Sequence, residues 1–155
     1  MELNPQEAKV FYNRGVAYRK LGNIQQSIKD FNKAIELNPK DAMAYTNRGN
    51  GYSKLGDYQQ AIKDYNKAIE LNPKLAEAYY NRGLAYGKLG NTQQAIKDFN
   101  KAIELNPQDE KAYYNRGVSY HNLGNNQRAT ENLKIAARLG LKEAQDYLRS
   151  KGVEW

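Results

Sequence analysis

The sequence predicts an all-α protein, an α-solenoid of four helix-turn-helix repeats followed by a short capping helix. Three observations predict it. Landmarks recur every 34 residues: Pro5, Pro39, Pro73 and Pro107; Gly15, Gly49, Gly83 and Gly117; Tyr18, Tyr52, Tyr86 and Tyr120; and Leu-Gly pairs that begin at Leu21, Leu55, Leu89 and Leu123. Between the landmarks the apolar residues fall at steps of three and four, the spacing of one helix face, and not at the alternation of a strand. The residues that interrupt this spacing are turn formers, Leu-Gly within each repeat and Asn-Pro between repeats.

Taken in order, residues 1–7 read as the remnant of a preceding repeat, because Glu2-Leu3-Asn4-Pro5 copies Glu36-Leu37-Asn38-Pro39. Repeat 1 is 8–41, repeat 2 is 42–75, repeat 3 is 76–109 and repeat 4 is 110–141. Each divides at its Leu-Gly into a first helix such as AMAYTNRGNGYSKL and a second such as YQQAIKDYNKAIELNP. In the second helix of repeat 3, Ala95, Ile96, Phe99, Ala102, Ile103 and Leu105 form a face to be buried, leaving Lys97, Asp98, Lys101 and Glu104 on other faces. Asn106-Pro107 ends that helix, since proline disfavours the α region at the residue before it and has no N–H of its own. Gly22, Gly56, Gly90 and Gly124 sit where the first helices stop and a positive φ is needed. Ala34, Ala68, Ala102 and Ala136, with the glycines of the Asn-Arg-Gly triplets, let helices approach closely, and large aromatics opposite them fill the gaps. Repeat 4 departs from the pattern, with Thr130 for Ile, Asn132 for Asp, Leu133 for Phe and Leu141 at the proline position. That departure marks a terminal repeat, and 142–155 supplies its cap and tail, with Ala144, Tyr147 and Leu148 on one side of a short helix.

These residues resemble the tetratricopeptide repeat family, whose pattern in repeat 3 reads Tyr79, Gly83, Tyr86, Ala95, Phe99, Ala102 and Pro107. The resemblance runs from residue 8 to the end of repeat 4, and it implies a right-handed superhelix with no cofactor and a protein-binding role. One departure is systematic: Arg14, Arg48, Arg82 and Arg116 stand where the family has Leu before the first Gly. Repeats 2 and 3 differ at only 10 of 34 positions, which points to recent duplication or to deliberate idealisation of a near-consensus array, and with the remnant at 1–7 to a fragment or an engineered array.

Composition narrows the function classes. No Cys is present, which removes disulfide scaffolds, Cys-ligated zinc and thiol catalysis. With one His, His121, a His-rich metal site cannot be built, and none of Ser27, Ser53, Ser119 or Ser150 sits in a G-x-S-x-G setting. The expectation is no enzyme, no metal and no cofactor. No apolar run approaches the ~20 residues of a membrane span. The opening MELNPQEAKV has acids and a proline where an export signal needs a basic start and an apolar stretch, so a cytoplasmic location is expected.

Net charge is +7, from 24 basic and 17 acidic residues. Much of it falls on a second stripe of the first helices, which in a helical solenoid line the concave wall. That stripe has Lys9, Arg19, Lys20, Lys54, Lys88 and Lys111 against Glu77 alone. Its floor is aromatic and amide: Tyr12, Thr46, Tyr80 and Tyr114; Asn13, Asn47, Asn81 and Asn115; Val16, Asn50, Leu84 and Val118. Charges of the second helices, such as Lys63 beside Asp64 and Lys67 ahead of Glu70, nearly cancel and read as a solvated face.

An Asn side chain has both a donor and an acceptor, so a column of them can address the backbone of an extended peptide. The column resembles the asparagine ladder of peptide-holding tetratricopeptide superhelices; the alternative is that Asn serves local packing. The family's carboxylate clamp implies Lys, Asn, Asn, Lys and Arg where repeats 2 to 4 have Thr46, Asn50, Asn81, Lys111 and Asn115, a match at three of five. In repeats 1 to 3 only Asn47 matches, with Tyr12, Val16, Glu77 and Asn81 at the other positions, so a full clamp is not expected. Asn50-Gly51 places a turn-type dipeptide inside a first helix, which marks either a functional position or a small residue at a tight crossing. The four arginines need partners, and Asp30, Asp64, Asp98 and, in repeat 4, Asn132 recur at the right offset.

The leading expectation is a non-catalytic interaction module whose groove takes an extended peptide, acidic or ending in a carboxylate. Its contacts would be Asn13, Asn47, Asn50, Tyr80, Asn81, Lys111, Tyr114 and Asn115, with Lys54 and Lys88. Two alternatives stay open: single-stranded nucleic acid, with Tyr stacking on bases and Lys on phosphates, and an idealised array with no ligand. Self-association is expected through the N-terminal repeat around Val10 and Phe11 or through the C-terminal tail.

Overall fold

The computed structural model describes residues 5–155, so residues 1–4 of the segment read as a remnant lie outside the described residues. Every element in that range is helical: α1 (Pro5–Lys20), α2 (Ile24–Leu37), α3 (Ala42–Lys54), α4 (Tyr58–Leu71), α5 (Ala76–Lys88), α6 (Thr92–Leu105), α7 (Glu110–Asn122), α8 (Asn126–Arg138) and α9 (Lys142–Ser150). The chain forms two compact units, Met1–Asn81 and Arg82–Trp155.

Local chemistry sets the helix ends. Asp41 accepts from the N–H groups of Met43 and Ala44 at the start of α3, Asp57 from Gln60 at the start of α4, and Asp109 from Lys111 and Ala112 at the start of α7. First helices stop at glycines in the left-handed region, such as Gly56 with φ 83° and Gly124 with φ 77°. Second helices α2, α4 and α6 stop at Asn38, Asn72 and Asn106, each directly before a proline.

In the first unit, α1 packs on α2 and α3 on α4 around Phe31 and Tyr65, both fully enclosed. A Cβ added at Gly15 would lie 3.0 Å from the Phe31 ring, and one at Gly49 would lie 2.8 Å from Tyr65, so glycine admits each ring to its helix crossing. Gly51 has the same cause: its added Cβ would fall 2.8 Å from Ile28 Cγ1. Of the two readings of Asn50-Gly51, tight packing therefore accounts for the glycine. In the second unit Phe99 stands 2.8 Å from the Gly83 Cβ position, and Leu133, Ala136 and Ala137 of α8 enclose a core with Ala144 and Leu148 of α9.

The arginines find the expected partners. Arg48 grips Asp64 with two hydrogen bonds of 2.8 and 2.7 Å, Arg82 grips Asp98 with two of 2.8 Å, and Arg14 holds Asp30 in the same fork. Arg48 also donates to Asn32 of α2, and Arg116 to Asn100 of α6. Burial draws the Arg48 guanidinium down, but the bonded Asp64 carboxylate more than offsets it and the pKa rises. Arg116 meets the Asn132 amide oxygen at 2.7 Å where its counterparts meet an aspartate, and burial lowers its pKa. Arg14 is more open than its counterparts, with 51% of its side chain exposed, because no second helix precedes α1 among the described residues.

Ser27 is a polar misfit of this core. It stands where the other repeats have Ala61, Ala95 and Ala129, it is 0% exposed, and its hydroxyl has no hydrogen-bond partner. An enclosed hydroxyl without a partner costs ~1–3 kcal/mol. Ser27→Ala is expected to raise the melting temperature in calorimetry; an unchanged or lower value would mean that the hydroxyl is satisfied in solution.

Candidate functional site

The stripe of the first helices divides between the two compact units. In the first, the side chains form a connected polar group. Asn50 Oδ1 accepts from the Tyr65 hydroxyl at 2.8 Å and from Asn81 Nδ2 at 2.9 Å, while Asn50 Nδ2 points to Glu77 Oε1 at 3.4 Å. Asn50 and Asn81 are thus brought together. Asn47 is 5% exposed, and its amide donates to Met43 O at 2.9 Å and to the Tyr12 hydroxyl at 3.0 Å. Its remaining polar atom is Oδ1. Thr46 is closed off from the stripe: it is 0% exposed and its hydroxyl donates to Ala42 O at 2.9 Å. A threonine in a tyrosine's place is too short to reach past its own helix. Asn13 and Lys54 are exposed on α1 and α3, and Tyr80 is half-buried on α5.

Two tyrosines in this group are held neutral. Burial first, then the charges of Glu77 and Asp64, push the Tyr65 hydroxyl far above its ordinary range, against the opposing bond with Ser53. Burial and then Asp41 raise Tyr12 in the same way, against the hydrogen bond from Asn47. In the unfolded chain a tyrosine ionises near pH ~10. Below that pH both states are neutral and the stability is intact. Above it the unfolded chain gains a charge that the folded Tyr65 resists, so stability falls as pH rises toward the folded pKa. Tyr65→Phe is therefore expected to flatten the alkaline limb of a melting-temperature profile above pH ~10; an identical slope would remove Tyr65 from the cause.

In the second unit, Lys88 and Asn115 line one shallow depression of about 180 Å³ together with Leu84, Val118 and the Phe99 ring. Asn115 donates to Lys111 O at 2.8 Å, one turn back along α7, and Lys111 itself is exposed. Tyr114 lies elsewhere. It packs on the Leu133 cluster and lines a larger cavity of about 350 Å³ with Val118, His121, Leu133 and Tyr147. Sequence reasoning missed Tyr65 as a member of the stripe, because it belongs to a second helix, and missed Tyr147 because a capping helix reads as core. No group of three or more His, Asp or Glu that could hold a metal occurs among the described residues, and none of their helices is long and apolar enough to cross a membrane.

Comparison with known proteins gives a consistent result. A family model described as tetratricopeptide repeat matches residues 8–41 and 76–109, a second of the same description matches 31–63 and 99–131, and one described as TPR repeat matches 49–90. No curated protein matches the sequence. Among solved structures, a crystal structure of MamA is 29% identical with a TM-score of 0.83, covering 92% of this chain and 83% of that one. The first TPR of Spaghetti (RPAP3), bound to the HSP90 peptide SRMEEVD, is 28% identical with a TM-score of 0.78, covering 80% and 98%. The Arabidopsis OM64 TPR domain is 29% identical with a TM-score of 0.75, covering 76% and 98%. With its 34-residue period, its glycine-admitted rings and its all-helical fold shared with these solenoids, the chain belongs to the tetratricopeptide repeat family.

Proposed function

We propose that the chain is a non-catalytic interaction module that binds an extended peptide, acidic or ending in a carboxylate, along the stripe of its first helices. The observation that carries the reading is the likeness to the Spaghetti domain, which was solved with an HSP90 peptide whose sequence, SRMEEVD, is acidic. The basic residues of the stripe support the sign of the ligand, with Lys54, Lys88 and Lys111 all exposed. The donor arithmetic adds detail. Asn50 has its oxygen taken by Tyr65 and Asn81 and its amide turned to Glu77, so Lys111 and the exposed lysines are the better contacts for a ligand carboxylate.

Fluorescence anisotropy against a library of acidic and carboxylate-ended peptides tests the reading. Lys111→Ala is expected to weaken acidic ligands several-fold, and more at low salt than at high, because an exposed charge is screened by ions. Asn81→Ala is expected to weaken every peptide alike, by the ~0.5–1.5 kcal/mol of a net hydrogen bond. Saturable binding of poly-U without any peptide response would favour the nucleic-acid reading instead.

A further inference from the structure

The cavity of about 350 Å³ at repeat 4 is lined by Tyr114, Val118 and His121 of α7, Ala129, Thr130 and Leu133 of α8, and Tyr147 of α9, with Gly117 and Asn126 at its edge. Its origin can be read by superposing the repeats in sequence. In the three preceding repeats an aromatic ring of the second helix abuts the Asn-Arg-Gly glycine: Phe31 against Gly15, Tyr65 against Gly49 and Phe99 against Gly83, with ring atoms 2.8 to 3.0 Å from the added Cβ. At Gly117 none of the three nearest atoms belongs to a ring. The atoms closest to its added Cβ are Ala129 O at 3.1 Å, Asn132 Cβ at 3.2 Å and Leu133 Cγ at 3.4 Å. Thr130, meanwhile, replaces the isoleucine of Ile28, Ile62 and Ile96. The hollow of repeat 3 that includes Gly83 and Phe99 holds about 180 Å³, so the smaller side chains of repeat 4 accompany a cavity nearly twice as large.

We infer that this cavity is a receptor for an aromatic side chain of a bound peptide, which takes the place of the ring that repeat 4 lacks. The inference rests on the peptide-binding reading and adds a residue class to it. The interior fits that occupant, with Leu133, Val118 and Ala129 as apolar walls and the rings of Tyr114 and Tyr147 for edge-to-face contact. The rim is polar. His121 Nδ1 lies 3.0 Å from Asn126 Oδ1, which leaves Nε2 as the ring's other hydrogen-bonding atom, able to meet a tyrosine hydroxyl or an indole N–H. An aliphatic side chain would fill the walls but make no hydrogen bond to that rim.

The test does not need an identified ligand. The full chain, labelled with ¹⁵N, is titrated to millimolar concentration with N-acetyl-tryptophanamide, N-acetyl-tyrosinamide and, as a control, N-acetyl-alaninamide. Saturable shifts of the Gly117, Val118, His121, Thr130 and Leu133 amides are expected with the aromatic amides only. The variants Leu133→Phe and Thr130→Ile restore side chains that the other repeats already tolerate, so they are expected to fold and to abolish those shifts. Shifts that persist in both filled variants, equal shifts from the alanine amide, or none from any probe would overturn the receptor. A second readout separates this proposal from the broader one. If acidic peptides bind and respond to Lys111→Ala but are indifferent to an added tryptophan or tyrosine and to Leu133→Phe, the receptor fails while peptide binding stands. If the aromatic amides bind at repeat 4 and no peptide binds anywhere, the cavity accepts aromatic groups, but its role as a receptor for a peptide side chain falls together with the peptide reading.

Discussion

Arg82→Ala is expected to lower the stability of the chain by several kcal/mol, while Lys97→Ala, fifteen residues further along, changes it within measurement error. The contrast comes from what each change leaves behind. Asp98 keeps only 4% of its side chain exposed and is gripped by two guanidinium hydrogen bonds; without Arg82 its charge stays enclosed and unpaired. Breaking a buried pair from one side costs ~3–5 kcal/mol, and the 16% exposure of Arg82 places this case toward the low end. Lys97 is exposed, and surface substitutions of this kind stay within ~0.5 kcal/mol. For a chain of this size, ~3 kcal/mol moves the melting temperature by ~6–12 °C. Calorimetry of the two variants checks the difference, and the double change Arg82→Ala with Asp98→Ala is expected to recover part of the loss, since it removes the stranded charge. Equal melting temperatures for the two single variants would show that water reaches Asp98 freely.

Phe99→Ala is the second large effect. The ring is 2% exposed and sits against the Gly83 backbone, so truncation removes apolar burial and opens a void that the glycine, with no side chain, cannot fill. Such changes cost ~3–5 kcal/mol. Phe99→Leu adopts the side chain already present at Leu133, keeps part of the apolar burial and is expected to cost less than the alanine variant. Urea titration ranks the three proteins. A loss below 1 kcal/mol for the alanine variant would mean that the helices close over the gap, and the ring would then be dispensable to the crossing.

Much of this is legible in the sequence. The period of 34 placed the helix pairs, because Gly56 and Pro73 are demanded by backbone geometry and leave the chain few alternatives. Arg82 with Asp98 was legible for a similar reason: a charge at a helix crossing needs a partner, and the same offset of 16 residues supplied one in each repeat. The stripe was harder to read. That Asn47 spends its amide on Met43 O and Tyr12 depends on rotamers, which periodicity does not encode. Tyr65 escaped because it lies on a second helix and extends its hydroxyl through the crossing to Asn50. In repeat 4 the letters Thr130 and Leu133 mark, in sequence, the decay of a terminal repeat. The same letters record missing volume, and only the packing showed that nothing else had filled it.

The arginine forks also bear on how such a chain can change in length. Arg14, Arg48 and Arg82 draw an acid, and Arg116 an amide, from 16 residues ahead in the same repeat, and Arg48 and Arg116 take a further amide from the second helix just before, at Asn32 and Asn100. Both dependencies are local and identical in spacing. An in-frame crossover that removed residues 42–75 would leave Arg82 with Asp98 untouched and would present it with Asn32 where Arg48 had been. No charge would be stranded and no ring would lose its glycine. Gain or loss of a whole 34-residue repeat can therefore lengthen or shorten the array without first finding compensating substitutions, which makes repeat number a quantity that selection can tune separately from the stability of each fold unit.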